Sequence, residues 1–314
     1  MAVTDVAPPR GGMLRATSSF FHRHPWAKLW LLLLPALLWL GVLYLGSLGV
    51  LLSYSFYRLE EFTGLLVREF GTTNYEQLLR PTEREIVLRT VAMAAAVTVA
   101  CAFLAFPVSY YMARYASPRM RLLVYISVIM PLWSSYLVRG AVAWRSILAG
   151  EGVLPWLLDT LQLDGVLRFL LQAPLIGGQS LVQSKLSLFI VFSYLWLPFM
   201  ILPVHAALER VPGTLLEASS DMGARPWMTF RKVILPLAKP GLVAGSIFTF
   251  SLTLGDFILP QIFGTSQLYL GQMVFTQIGV AGNLPLAAAF TFVAMAIMLL
   301  YLGAAKRLGA FEAL

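Results

Sequence analysis

Asp256 is the one charged residue in the run GLVAGSIFTFSLTLGDFILPQI, residues 241–262. A carboxylate within an apolar run of membrane length costs about 2.5 kcal/mol or more to insert, which makes it a functional candidate by default. Counted from Gly241 at about 1.5 Å per residue, it stands about 22 Å along, in the outer half of a bilayer core. Two roles fit equally: meeting a cationic substrate, or capping a break near Gly255 and Pro260. Trp133, Tyr136, Tyr194, Trp196 and Phe199 offer ring faces that can line a path for an aliphatic cation by cation–π attraction. Tryptophan and tyrosine also anchor helices at membrane interfaces, and that reading stands beside the first. His205, four residues before Glu209, fits a helix end better than a proton relay. Arg139 and Arg145 flank Trp144 and are expected to snorkel toward the outer surface.

Enzyme chemistry finds no foothold in this inventory. The serines form no nucleophile elbow, and the three histidines cluster near the N-terminus or stand alone. There is no Cys/His group with metal spacing and no GxxxxGK[ST] phosphate loop, so no cofactor is expected in this chain. If ATP drives the protein, another chain binds it. Cys101 is the single cysteine and sits in an apolar run, so it forms no internal bridge.

The elements that must position these residues are membrane helices. The chain has 314 residues, 59% hydrophobic and 12% charged, with mean hydropathy +0.77; soluble domains carry about 25% charged residues. The net charge of +8 fits cytoplasmic loops better than nucleic acid, because no long basic run occurs. An all-α polytopic protein with six spans is expected, at residues 29–57, 90–113, 122–138, 186–208, 241–262 and 284–305. The first is too long for a signal's apolar region of about 7–15 residues and is read as a retained helix. The second is rich in alanine, which suits close helix contact. The third is brief, carries Pro131, and is expected to borrow a turn beyond Arg139. Short runs within 140–185 read as helices lying at an interface. Residues 1–28 form a tail, loosely held over 1–21, and 309–314 a second tail. Six spans put both ends on one side. The basic clusters at 22–28, 114–121 and 306–307 fall there, which makes it the cytoplasmic side.

The second half has one long polar interruption, VPGTLLEASSDMGARPWMTFRKVILPLAKPG, residues 211–241. It reads as two short helices with a hinge. Thr214 and Glu217 have capping-box spacing. Leu215, Leu216, Ser219 and Met222 fall near one face, and Gly223 stands where a left-handed cap is needed. Pro226 suits a first turn, and the second helix is expected to end or kink at Pro236. Small residues Ala218, Ser219 and Ser220 leave room for close approach.

The order Glu217-Ala218-Ser219, Gly223, Val233, Leu235-Pro236 resembles the EAA loop of membrane permease subunits of bacterial ABC importers, with Ser219 for the usual alanine and Val233 for isoleucine. RGAVAWRSIL, YLWLPFMILP and SLTLGDFILPQIFG extend the resemblance to the spermidine/putrescine-type branch, over roughly 85–307. It implies a five-helix, MetI-like permease core at 58–308, with its coupling loop at 211–240, behind an N-terminal leading helix. Thr214, Glu217, Ala218, Ser219 and Gly223 would then be coupling residues, docking on an ATPase dimer that binds ATP and Mg. The other implied partners are a second homologous permease, an extracytoplasmic binding protein and membrane lipid, in a bacterial inner membrane. Polyamines or a related small cation are the implied substrates; iron(III), thiamine and phosphonate importers have similar permeases. A transporter driven by an ion gradient through Asp256 is the alternative from another class. A membrane scaffold that uses the elbow to recruit a soluble partner is a third.

Overall fold

The computed structural model describes residues 25–60, 63–173, 177–264 and 267–307. Both expected tails lie outside them, apart from residues 25–28. The chain divides into two compact units, Met1–Tyr54 and Ser55–Leu314. The first holds α1 (Pro25–Leu38), a π-helical stretch (Trp39–Leu45) and all but the last residue of α2 (Gly46–Ser55). Lys28–Ser55 together make a helix of 28 residues, long enough to cross a membrane.

The second unit opens with a small feature the sequence did not suggest, an antiparallel pair of β1 (Arg58–Leu59) and β2 (Leu66–Val67). The short α3 (Thr73–Leu78) follows; its buried Asn74 donates to the carbonyls of Ser55 (2.8 Å) and Tyr57 (2.6 Å). Next come the long α4 (Pro81–Arg114) and α5 (Pro118–Trp133). Ser117 caps α5 with its hydroxyl on the Met120 amide, and Pro118 takes the first position.

The expected third span is corrected here. The helix stops at Trp133 and the chain turns by 86° into the segment that begins at Leu137. Ser134 takes extended geometry, and its amide and hydroxyl both turn back to the Pro131 carbonyl, at 3.2 and 2.8 Å. Arg139 also donates to that carbonyl, so its guanidinium closes the break. Beyond it run a π-helical stretch (Leu137–Ala143), α6 (Trp144–Leu148), α7 (Val153–Thr160) and α8 (Asp164–Gln172). As expected, none of α6 to α8 is long enough to cross on its own.

The bundle is built around α9 (Lys185–Glu209). Leu188, Val191, Met200, Val204 and Leu208 are wholly buried between α4 and the later helices. Pro198 and Pro203 lie inside α9 without ending it. The alanine-rich side of α4 is buried as expected: Val97, Cys101 and Ala105 lie in the α9 core and Ala94 packs with Phe250 and Leu254, while Phe103 and Leu104 point outward. That is the inverse of a soluble helix, since bulk faces lipid and small side chains let the backbones approach.

The elbow comes next, as α10 (Gly213–Asp221) and α11 (Pro226–Thr229). A π-helical stretch (Phe230–Ile234) leads into α12 (Leu235–Gly255), which is followed by α13 (Ile258–Phe263), α14 (Leu270–Gly279) and α15 (Leu284–Arg307). Here the fifth span is corrected. Pro236 neither ends nor breaks the helix: Pro226–Gly255 is continuous over 30 residues, and it stops at Gly255 rather than near residue 262. The wide π turn sits just ahead of Pro236, where a regular turn would drive the ring into the carbonyl four residues back.

Gly241 and Gly245 set the spacing of α12 against α9. A Cβ on Gly241 would lie 2.5 Å from the Pro203 carbonyl oxygen, and one on Gly245 would lie 2.6 Å from the Met200 sulfur. A Thr98–Thr249 hydroxyl contact at 3.3 Å ties α4 to α12.

Candidate functional site

The elbow is built from its turns. α10 starts at Gly213 with Pro212 at the cap, whose fixed φ of −64° leads into the helix. This corrects the expected capping box: Thr214 is already inside the first turn, no side-chain cap bond forms, and Thr214 and Glu217 are both exposed. The end of α10 is a Schellman motif. Gly223 has φ +73°, its amide bonds Ser220 O at 2.8 Å, and the Ala224 amide bonds Ser219 O at 3.0 Å. Arg225 and Pro226 then open α11.

The expected apolar face is also rearranged. Leu216 and Ser219 turn inward, whereas Leu215 and Met222 are exposed, Met222 by 81%. Ser219 is buried and shares a hydroxyl hydrogen bond of 2.8 Å with Thr229, locking α10 onto α11. Of the small residues, Ala218 and Ser220 are left open to a partner. With Met222, Trp227 and Met228 exposed, the outer side of the elbow is apolar and interrupted by Glu217.

Two arginines that the sequence marked only as basic hold the bundle where α9 runs into the elbow. Arg114, at the end of α4, donates to the carbonyls of Leu208 (3.2 Å) and Val211 (2.6 Å). Leu208 O already accepts from the Val211 amide at 3.3 Å, so Arg114 adds a second donor there and takes the Val211 carbonyl just beyond the helix end. Arg121 bonds Met112 O at 3.0 Å and reaches Glu209 at 3.4 Å, and Glu209 also faces His205 at 3.6 Å. An aromatic chain adds to this. Trp227 stacks on Phe230 at 5.2 Å, Phe230 meets Phe106 edge-on at 5.4 Å, and Phe106 meets Tyr110 at 6.3 Å. The elbow is therefore fastened to the ends of α4, α9 and α12.

At the other end of α12, Asp256 leaves the helix in extended geometry. One carboxylate oxygen accepts from the amides of Ile258 (2.9 Å) and Leu259 (3.0 Å), covering the free start of α13. The other accepts from the Tyr136 hydroxyl, next to the break in the third span. The carboxylate thus ties two interrupted helices together, and it lines an open cleft of about 340 Å³ with Trp196, Ser251 and Phe257. Tyr136 stacks on Trp196 at 5.9 Å, and Trp196 meets Phe199 at 6.0 Å. The Trp196 indole N–H is buried and has no partner among the described residues.

Of the six pathway candidates, three come together here, Asp256, Tyr136 and Trp196, and Phe199 is joined to them only through Trp196. Tyr194 lies on another side of α9, edge-on to Trp144 at 5.4 Å. Trp133 is 88% exposed at the tip of α5. Arg139 is not a snorkelling side chain, since it is turned to Pro131 O.

The chain matches the model of binding-protein-dependent transport system inner membrane components over residues 105–309. It belongs to that family. It is 51% identical to the inner membrane ABC transporter permease protein YdcU of Escherichia coli K12, over the whole length of both. Identity is 29% to the spermidine/putrescine transport system permease protein PotB of the same organism, over 76% of this chain and 84% of that one. Among solved structures, a bacterial alginate ABC transporter bound to a pentasaccharide-loaded periplasmic protein shares the fold. Its TM-score is 0.67 at 17% identity, covering 92% of this chain and 95% of that one. The MetNI methionine ABC transporter does so at TM-score 0.53 and 20% identity, over 74% and 96%. The permease is thus the transport subunit of an ABC importer and a multi-pass inner-membrane protein with the MetI-like fold.

Proposed function

We propose that this permease forms half of a pathway for a polyamine or a related small organic cation. A second, homologous permease completes it, an extracytoplasmic binding protein delivers the substrate, and a dimer of ATPase subunits, which hold ATP and Mg, drives it. The single observation that carries the substrate class is the cleft at Asp256, where a carboxylate stands beside the rings of Trp196 and Phe257. A primary ammonium can pair with the carboxylate while its methylenes pass over the ring faces. The spermidine/putrescine permeases among the relatives support the same class.

Thr214, Glu217, Ala218 and Gly223 present the outer side of the elbow to the ATPase, and Ser219 holds its shape from within. The elbow and both chain ends face the cytoplasm, in accord with the basic clusters. Pro226–Gly255 is one helix, about 45 Å long, so a push on the elbow reaches the break at Asp256 directly.

Uptake of labelled putrescine and spermidine by the assembled transporter tests this, with Asp256→Asn and Asp256→Leu at matched abundance. Asn keeps the acceptor that caps α13 but removes the charge. Both substitutions are expected to cut uptake on the order of tenfold or more while basal ATPase activity survives. Near-normal uptake with Asn would leave Asp256 as a cap alone. Uptake of iron(III), thiamine or a phosphonate in place of polyamines would overturn the substrate class.

A further inference from the structure

At the end of the bundle away from the elbow, α4 and α9 leave a groove of about 570 Å³ between them. Its rim carries Glu85, Arg89 and Lys185, and its floor is apolar, with Met93, Ala96 and Phe189. Arg89 pairs with Glu85 and donates to Leu268 O at 3.0 Å, so its guanidinium is fixed in place. Lys185, the first residue of α9, has no ion pair among the described residues. The rim is therefore net positive. Tyr269 closes one side; it is 2% exposed, and its hydroxyl has no hydrogen-bond partner among the described residues. Burial pushes the Tyr269 phenol up to about 12, so this wall of the groove stays uncharged.

The dimensions select the occupant. From Glu85, ahead of the expected span at residue 90, to Ala96 the helix rises about 16 Å, so the groove runs from headgroup level into a leaflet about 15 Å deep. Cationic donors at one end of an apolar groove that enters the leaflet match a phosphate with an acyl chain beneath it. A free anion would leave the floor bare, and a polyamine would meet the wrong charge. We propose that this groove binds one phospholipid of the leaflet remote from the elbow. Its phosphate is held by Lys185 and Arg89, and an acyl chain lies along Ala96 and Phe189. The inference rests on insertion in the membrane and is independent of the transported substrate.

The test uses the assembled transporter, delipidated in detergent and supplied with phosphatidylglycerol or phosphatidylethanolamine, with retained lipid counted by native mass spectrometry. One tightly held phospholipid is expected on the native complex. Lys185→Gln is expected to lower its retention on the order of tenfold, and Lys185→Arg to restore it. Ala96→Phe, on an exposed position, fills the groove and should abolish retention, whereas Leu299→Ala on the lipid-facing side of α15 should leave it unchanged. Equal retention by all variants would overturn the proposal. So would binding of inorganic phosphate alone with the same Lys185 dependence and no effect of Ala96→Phe. A cross-link from Ala96→Cys to the second permease subunit, in the lipid-free complex, would assign the groove to protein and also overturn it.

Discussion

Gly223 shows how much of the elbow depends on one residue's backbone freedom. Its φ of +73° lies in the left-handed region, yet a Cβ there would meet nothing within 4 Å. The cost of a side chain is therefore conformational, about 1–2 kcal/mol, and it falls on the angle between α10 and α11 rather than on the fold. Gly223→Val is expected to abolish uptake at normal membrane abundance, and Gly223→Asn to be milder because asparagine visits this region. Uptake and immunoblot of membranes side by side check it; normal uptake by the valine variant would remove the elbow's angle from the mechanism. The need for glycine here was legible, since the spacing after α10 calls for a left-handed cap. The role of Thr214 was not, because Pro212 opened the helix two residues earlier than the capping-box pattern implied. Asp256 divides the same way: an intramembrane acid is visible in any hydropathy reading, but its Tyr136 partner is 120 residues away.

Among the elements, α9 and α12 decide how closely the bundle packs. Gly241 and Gly245 are spaced as in GxxxG, and both sit against α9 backbone or side-chain atoms at distances that exclude a Cβ. Gly241→Val would force the Pro203 carbonyl away, a rigid group that cannot yield as a flexible side-chain end does. A loss of about 1–3 kcal/mol or more is expected, read as a lower melting temperature and reduced abundance in membranes. Gly303 in α15 meets nothing within 4 Å, so Gly303→Ala should be neutral or slightly stabilising through helix propensity. Equal stability of the two variants would show that α9 and α12 are not held by this contact. The GxxxG pattern is the signal in the sequence that announces this seam. No comparable signal announces the break after Trp133, since it depends on Arg139 returning to the Pro131 carbonyl.

For the whole molecule, the elbow and the Asp256 cleft terminate the same helix at opposite ends, and the expected orientation places the elbow in the cytoplasm. In a Cys101→Ser background, Met228→Cys on the elbow should resist an impermeant thiol reagent in intact cells, and Glu151→Cys should react. Cys101 is wholly buried, so its replacement serves only to clear the background. Labelling of Met228→Cys before lysis would invert the topology. A deletion of one span would invert every later loop, which is why orientation is a property of the entire chain.

What the sequence determined by itself is what a short window of residues decides. Uncharged runs of bilayer length must be helices, because backbone groups have no other partner in lipid. The elbow's order of Glu217, Ala218, Gly223 and Leu235-Pro236 is a local pattern, and it carried the family. Only the tertiary structure decided which groups separated in sequence would meet. Arg114 covers the end of α9, Ser219 turns inward to Thr229, and Tyr136 reaches Asp256 while Trp133 and Tyr194 turn elsewhere. Those outcomes depend on where helices stop and how far they rotate. In a chain with apolar residues on nearly every helical face, hydrophobic periodicity cannot specify that rotation. Close contact at glycine and alanine, and the need to satisfy each buried polar group, specify it instead.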